Sequence, residues 1–489
     1  MTRPAVLGGD VQRTVVLTAM PLQRVGAHAL AVLAGVDSPD EVTSDGFDRA
    51  AQVMTSHVAA TATVGKAQEP GGFWLGVSYA LWPNCPMNTT NRAKLTPEQL
   101  REGITRWRTM PDPDSWPDVP CSLCGRAAVG WYGKVDIPLG ASVAHRNTTA
   151  PGQSGTPLCW PCLTTLYALP YGCAIGGGKL SAIHSWDDGF MARVTRMQVS
   201  RTLRRAAVAS GKPVSKTPYL RELAALRALR TYDRRITRAV ELLVFTNSNK
   251  DQSFIAEALD QPLAEWLRST IRPTKREGDS DRRAGFGHLV AAHHTEKIPG
   301  SSLLARKVFT APTQVPSRGV SWLADKAART GSVPPQTATL VPLIRSYMTE
   351  VMTVLEKDVN NVTAVAKRIA AVLTDEKAPG ASPTYERGAL KGFQVACRDT
   401  RALQRWTQHR AVAWTLQRGA ADGPFVSTSE WRSLFDSGAG RAYQDLLFIG
   451  VLEELCVRKA RPDSEGALED DTDDAAELTD FDNDTTEEN

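Results

Sequence analysis

The sequence predicts an α+β protein: a mixed N-terminal region with an inserted zinc-ribbon-like module, then a mainly α-helical C-terminal region ending in a helix bundle. Three observations lead there. Two C-x2-C pairs, Cys121/Cys124 and Cys159/Cys162, are separated by 34 residues, a pattern in which two knuckles close one tetrahedral four-thiolate site. Short apolar runs broken by turn residues fill the first 118 residues, whereas helical periodicity takes over from about residue 218. A length of 489 residues, 42% hydrophobic and 22% charged, suits about two to four globular domains, each with its own core.

The elements follow in order. Val15–Thr18 reads as a strand, and Gly26–Leu33 as a buried helix. Ser38–Arg49 reads as the capped start of a solvent-facing helix. Trp74–Arg92 passes from an alternating strand into a loop rich in Asn and Pro, and four prolines in residues 111–120 make an extended connector. The domain reading is therefore an N-terminal α/β region (1–120), a zinc module (121–200), a basic helical region (201–315), a C-terminal helical bundle (316–461) and a disordered acidic tail (462–489). One long helix is expected from Tyr219 to Phe245. A loop at 273–287 and a break at 376–388 interrupt the helical half.

No apolar run approaches the roughly 18–20 residues of a membrane span. The longest, Leu242–Phe245 and Leu446–Val451, read as helix faces. The N-terminus lacks the basic-then-apolar order of a signal peptide, so a cytoplasmic location is expected.

Charge is distributed unevenly. The chain has 57 Lys and Arg against 53 Asp and Glu, a net +4. Thirteen of the acidic residues and none of the basic ones lie beyond Arg461, so residues 1–461 carry +17. A body this basic favours a polyanionic partner, because each phosphate neutralised releases counterions. The tail is either a solubilising extension or a decoy that competes with nucleic acid for that body.

The two cysteine pairs are expected to hold structural Zn2+, since four thiolates leave no open position for catalytic water. The remaining thiols, Cys85, Cys173, Cys397 and Cys456, have apolar neighbours and read as core residues. The neighbours His293 and His294 diverge by about 100° on a helix and read as a surface pair. Gly172–Ser181 fails as a phosphate loop, because Cys173 and Leu180 stand where the motif requires Gly and Ser or Thr. His184, Asp187 and Asp188 lack the partner His/Asp pairs of a metal phosphohydrolase. The sequence does not read as an enzyme.

Nucleic-acid contacts are expected from several basic groups. On the helix from Tyr219, a row of Arg227, Arg230, Arg234 and Arg238 falls within about 80°, opposite an apolar face. Arg201, Arg204 and Arg205 form a second cluster, and Lys275, Arg276, Arg282 and Arg283 sit on a Gly-rich loop. Trp406, Arg410, Trp414 and Arg418, each four apart, make either an Arg–Trp stacking ladder or core tryptophans with snorkelling arginines.

The cysteine region resembles a known family. Cys121-Ser-Leu-Cys-Gly125, Asp136-Ile-Pro-Leu139, Leu158-Cys-Trp-Pro-Cys162, Leu169-Pro-Tyr-Gly172 and Leu180 with His184-Ser185 are similar to the CXXC–CXXC region of CRISPR-associated large subunits, the Cst type of type I Cascade complexes in particular. Leu17-Thr-Ala-Met-Pro21 with Gly26 and Ala31 is similar to the family's N-terminal opening, and Asn84–Asn88 to its Asn-rich segment. The likeness covers about residues 14–205.

It implies a non-catalytic subunit of a crRNA-guided antiviral complex, with backbone, cap and small subunits as partners. Such a subunit reads the protospacer-adjacent motif on double-stranded DNA, aids R-loop formation, stabilises the displaced strand and docks a helicase-nuclease recruited in trans. Asn84, Asn88, Asn91 and Arg92 are the motif-reading candidates, because amides on a loop reach base edges; the other reading is that these asparagines make the turn. Initiation at Met348 or Met352 would yield a separate helical product of about 140 residues, the size of one domain. The alternative function is a stand-alone zinc-containing nuclease or regulator that binds nucleic acid by itself.

Overall fold

The computed structural model describes residues 11–140, 155–208, 217–248, 252–271, 282–375, 383–418, 423–436 and 440–463. The fold is α+β, mostly helical, with three small sheets among the described residues. The chain separates into two compact units. The first is Met1–Thr217 with Ile236–Gln261, and the second is Pro218–Arg235 with Pro262–Asn489.

In the first unit, helix α1 (Pro21–Ala34) is the central post: Leu22 through Ala31 are all buried. It packs on α5 (Trp160–Ala168) so closely that a Cβ at Gly26 would lie 1.9 Å from the Thr165 carbonyl oxygen. Against α1 also pack α2 (Ser44–Ala59) and α6 (Asp188–Val208), and α3 (Phe73–Leu81) and α4 (Pro97–Trp107) pack in turn on α2. The caps of α2 and α4 are local: the Thr43 and Thr96 hydroxyls accept from Gly46 N and Gln99 N. Strands β1 (Gly130–Tyr132) and β2 (Thr156–Leu158) pair antiparallel. A four-stranded antiparallel sheet is built in chain order from β3 (Ala174–Gly176), β4 (Lys179–Ser185), β5 (Val240–Asn247) and β6 (Gln252–Leu259).

The second unit holds α7 (Leu220–Thr231), α8 (Gln261–Ser269), α9 (Arg282–His293), α10 (Gly300–Thr310), α11 (Val315–Thr330), α12 (Thr337–Glu350) and α13 (Glu356–Leu373). Strands β7 (Thr374–Asp375) and β8 (Thr384–Tyr385) lead into α14 (Arg387–Ala396) and α15 (Thr400–Arg418). After α16 (Thr428–Trp431) and α17 (Gly440–Val457), β9 (Arg461–Pro462) pairs parallel with β8. Buried Leu446–Val451 make α17 the core of this bundle, against α12 and α13.

Four expectations are corrected. Val15–Thr18 makes no strand ladder: the Gln23 side chain binds its backbone, accepting from Thr18 N at 3.0 Å and donating to Val16 O at 2.8 Å. Trp74–Leu81 is helical, not a strand; a short apolar run buried nearly all round carries no decisive period. The helix from Tyr219 ends at Thr231, and Leu242–Phe245 lies in β5 rather than on a helix face. A central strand covered on both faces is a continuous apolar run, so it also satisfies a helical template. Finally, 273–287 is not one loop: Arg282 and Arg283 open α9.

Candidate metal centre and basic surfaces

The cysteine module is built by local chemistry. Cys121 to Arg126 form a tight knuckle in which Gly125 N donates to Cys121 O (2.9 Å) and Cys121 N to Arg126 O (2.6 Å). Gly125 takes φ +77°, a conformation that favours glycine. The β1–β2 pair then carries the chain to the second knuckle, with Ser122 N donating to Pro157 O and Val129 N to Leu158 O. Cys159 caps α5 and Cys162 lies in its first turn, where the positive end of the helix dipole favours thiolates.

The four Sγ atoms lie within 4.8 Å of one another, and Cys121, Cys159 and Cys162 are buried. These residues could hold a metal ion. Without a cation, hydrogen bonds from the other three thiols hold the Cys121 thiolate well below the usual thiol range. Against an upward pull from Cys121, bonds from Cys159 and Cys162 also lower Cys124, to about 7, whereas Cys159 and Cys162 are pushed up by their sulfur neighbours and by burial. A set that resists carrying four negative charges alone is one that a divalent cation completes.

Of the other thiols, Cys85, Cys173 and Cys397 are buried, while Cys456 is half-buried. Burial pushes Cys85 up to about 11 and raises the other three as well.

The motif-reading candidates share the loop after α3, but their side chains are differently engaged. Asn84 is exposed with φ +63°. Asn88 Nδ2 donates to Ser78 Oγ (2.9 Å) and Trp82 O (3.1 Å). The Arg92 guanidinium donates to Met87 O, Thr61 O and Val64 O, and Asn91 is exposed. The loop is thus framed by Asn88 and Arg92 and shows Asn84 and Asn91 to solvent.

The arginine row does not exist as a row. Arg227 and Arg230 lie on α7, but Arg234 and Arg238 follow the helix in an irregular segment. Arg230 is 3% exposed, donates to Thr270 Oγ1 (3.1 Å) and stacks on Phe286 (3.7 Å). Arg234 and Arg238 are exposed. Arg201, Arg204 and Arg205 share the exposed side of α6, with Arg205 donating to Ile175 O at 2.7 Å. Arg282 pairs with Glu350 (2.8 Å), Arg283 is exposed, and Lys275 and Arg276 lie outside the described residues. On α15, Trp414 is buried, while half-buried Trp406 meets Phe393 (4.9 Å) and lies under Arg410 (5.5 Å); Arg418 ends the helix.

Two charged clusters escape sequence reasoning. Arg108, 5% exposed, is caged by Trp82, Trp107 and Tyr167 at 4.5, 4.2 and 3.7 Å. The second joins α1, β4, β5 and α6. Arg24 pairs with Asp188, His184 Nδ1 donates to Glu241 Oε2 (2.7 Å), and buried His28 lies 3.8 Å from Asp188. Asp187 is a structural cap, accepting from Phe190 N and Thr237 N. The readable signal for the second cluster is Arg24 and His28, four apart in an otherwise apolar helix. His293 is likewise buried, not a surface residue; only His294 is exposed. Gly172–Ser181 becomes a β-hairpin whose tip, Gly177-Gly178, has φ +60° and +73°.

No protein-family model matches the chain. No curated protein and no solved structure matches it either. Among the described residues no helix is long and apolar enough to cross a membrane.

Proposed function

We propose that the chain is the DNA-binding large subunit of a type I CRISPR Cascade complex, recognising the protospacer-adjacent motif, aiding R-loop formation and docking a helicase-nuclease. The cysteine module carries this reading. Two of the matched runs, Cys121-Ser-Leu-Cys-Gly125 and Leu158-Cys-Trp-Pro-Cys162, supply the four sulfurs, and the other matched runs fold in the same unit. Asp136 accepts from Trp107 Nε1 (3.0 Å) and Gly133 N (3.2 Å), and Leu169–Gly172 forms a buried turn against α1.

The ion is Zn2+, which suits four thiolates in a closed tetrahedron. When bound it cross-links the two knuckles and supplies no catalytic chemistry. The +17 charge of residues 1–461 supports a phosphate-bearing partner. Base pairing by a guide RNA then reads sequence, while this chain reads a short motif and backbone.

Purification after co-expression with the neighbouring genes tests the reading. Guide RNA and partner subunits are expected to co-purify, with one zinc per chain, and the isolated chain is expected not to cleave DNA. A chain that purifies alone and cuts DNA in a metal-dependent way, losing that activity on His184→Ala, overturns it.

A further inference from the structure

We propose that the acidic segment 464–489 docks on the outer face of the α14–α15 hairpin of its own chain. The inference stands apart from the proposed function. Taking 100° per residue, Arg401, Arg405, His409, Val412 and Leu416 fall within about 80° on α15. All five are exposed, Val412 at 62% and Leu416 at 82%. The opposite side, with Leu403, Thr407 and Trp414, is buried. On α14 and the turn after it, Lys391, Val395 (55%) and Arg398 are exposed in the same manner.

Neither helix contains an Asp or Glu. Among the described residues, no carboxylate pairs with Arg401 or Arg405; Arg405 Nε only meets the Arg401 carbonyl at 3.5 Å. Exposed carboxylates flank the helices only at their ends, Glu386 before α14 and Asp399 in the turn, where it accepts from Ala402 N (2.8 Å). Away from those ends the face is basic, with exposed aliphatic side chains set among the charges. An occupant must be a polyanion that also brings apolar groups.

Segment 464–489 has that composition: twelve carboxylates, no Lys or Arg, and Leu468, Leu478 and Phe481 interspersed. It also starts in the right place. Strand β9 ends beside β8, and Asp463 N donates to Tyr385 O (3.1 Å), two residues before α14 begins. The 26 residues span at most about 90 Å, and α15 is only about 28 Å long. A tether this short gives the segment an effective concentration in the millimolar range, so modest contacts suffice. The interaction weakens as salt screens it.

The test uses the full chain. Carbodiimide coupling at low salt, mapped by mass spectrometry, should join tail carboxylates preferentially to Lys391. The yield should fall at least fivefold in 0.5 M salt and in the exposed-site double variant Arg401→Glu/Arg405→Glu, whose melting should match the parent. Hydrogen exchange over 400–416 should speed up when the tail carboxylates are replaced by amides. Coupling spread over other lysines, or unchanged in the double variant, overturns the proposal. So does protection of 400–416 that arises only when single-stranded DNA is added.

Discussion

The cysteine module and the segment 227–238 were both legible as four-residue patterns, yet only the first survives as a unit. The four sulfurs of Cys121, Cys124, Cys159 and Cys162 lie within 4.8 Å of one another. The four arginines are divided between α7 and the irregular stretch beyond it, with Arg230 buried on Phe286. The difference is in what each pattern demands. A C-x2-C knuckle is closed by its own backbone bonds and by a common ligand, so its geometry is carried in a few residues. A face on a helix exists only as far as the helix does, and α7 stops at Thr231, where buried Tyr232 turns the chain to an extended conformation.

Breaking the metal module should have the largest effect. Structural zinc contributes on the order of 10 kcal/mol in small domains, so Cys121→Ser or chelation is expected to unfold the first unit. Calorimetry should then show the second unit melting alone. A metal-free chain of equal stability removes zinc from the account.

Buried histidines come next, one in each unit. Desolvation lowers His28 to about 4, against a weaker opposing pull from Asp188. It lowers His293 to about 4 as well, although Nδ1 donates to Leu289 O at 2.8 Å. The unfolded chain takes up these protons first, near pH 6.5, so stability rises with pH between about 4 and 6.5. Each site should lose up to about 3 kcal/mol as pH falls through that window. Urea titrations of His28→Leu and His293→Leu at pH 7.5 and 4.5 should show a shallower pH dependence than the parent.

The arginines sharpen the comparison at smaller scale. Arg230→Ala should cost about 1–3 kcal/mol, by losing a buried hydrogen bond and a stacked ring. Arg234→Ala and Arg238→Ala, being exposed, should stay within about 0.5 kcal/mol of the parent. If these two meet phosphate, each should instead reduce the salt slope of DNA binding by about one. Equal stability effects at 230 and 234 would restore the row.

Sequence alone determined the features whose causes are local or compositional. The cysteine spacing and the acidic block beyond Arg461 needed no distant partner, and Gly26–Leu33 and Leu446–Val451 were legible as apolar helical runs. Only the tertiary structure decided the rest. It turned Val240–Asn247 into a central strand between β4 and β6, and Trp74–Leu81 into a helix. It also placed Arg108 inside three rings and sank His293 and Arg230 into the core. A strand enclosed on both sides, like a cation held by rings from distant elements, is defined by its neighbours. Those neighbours lie tens of residues away, where no short-range pattern reaches.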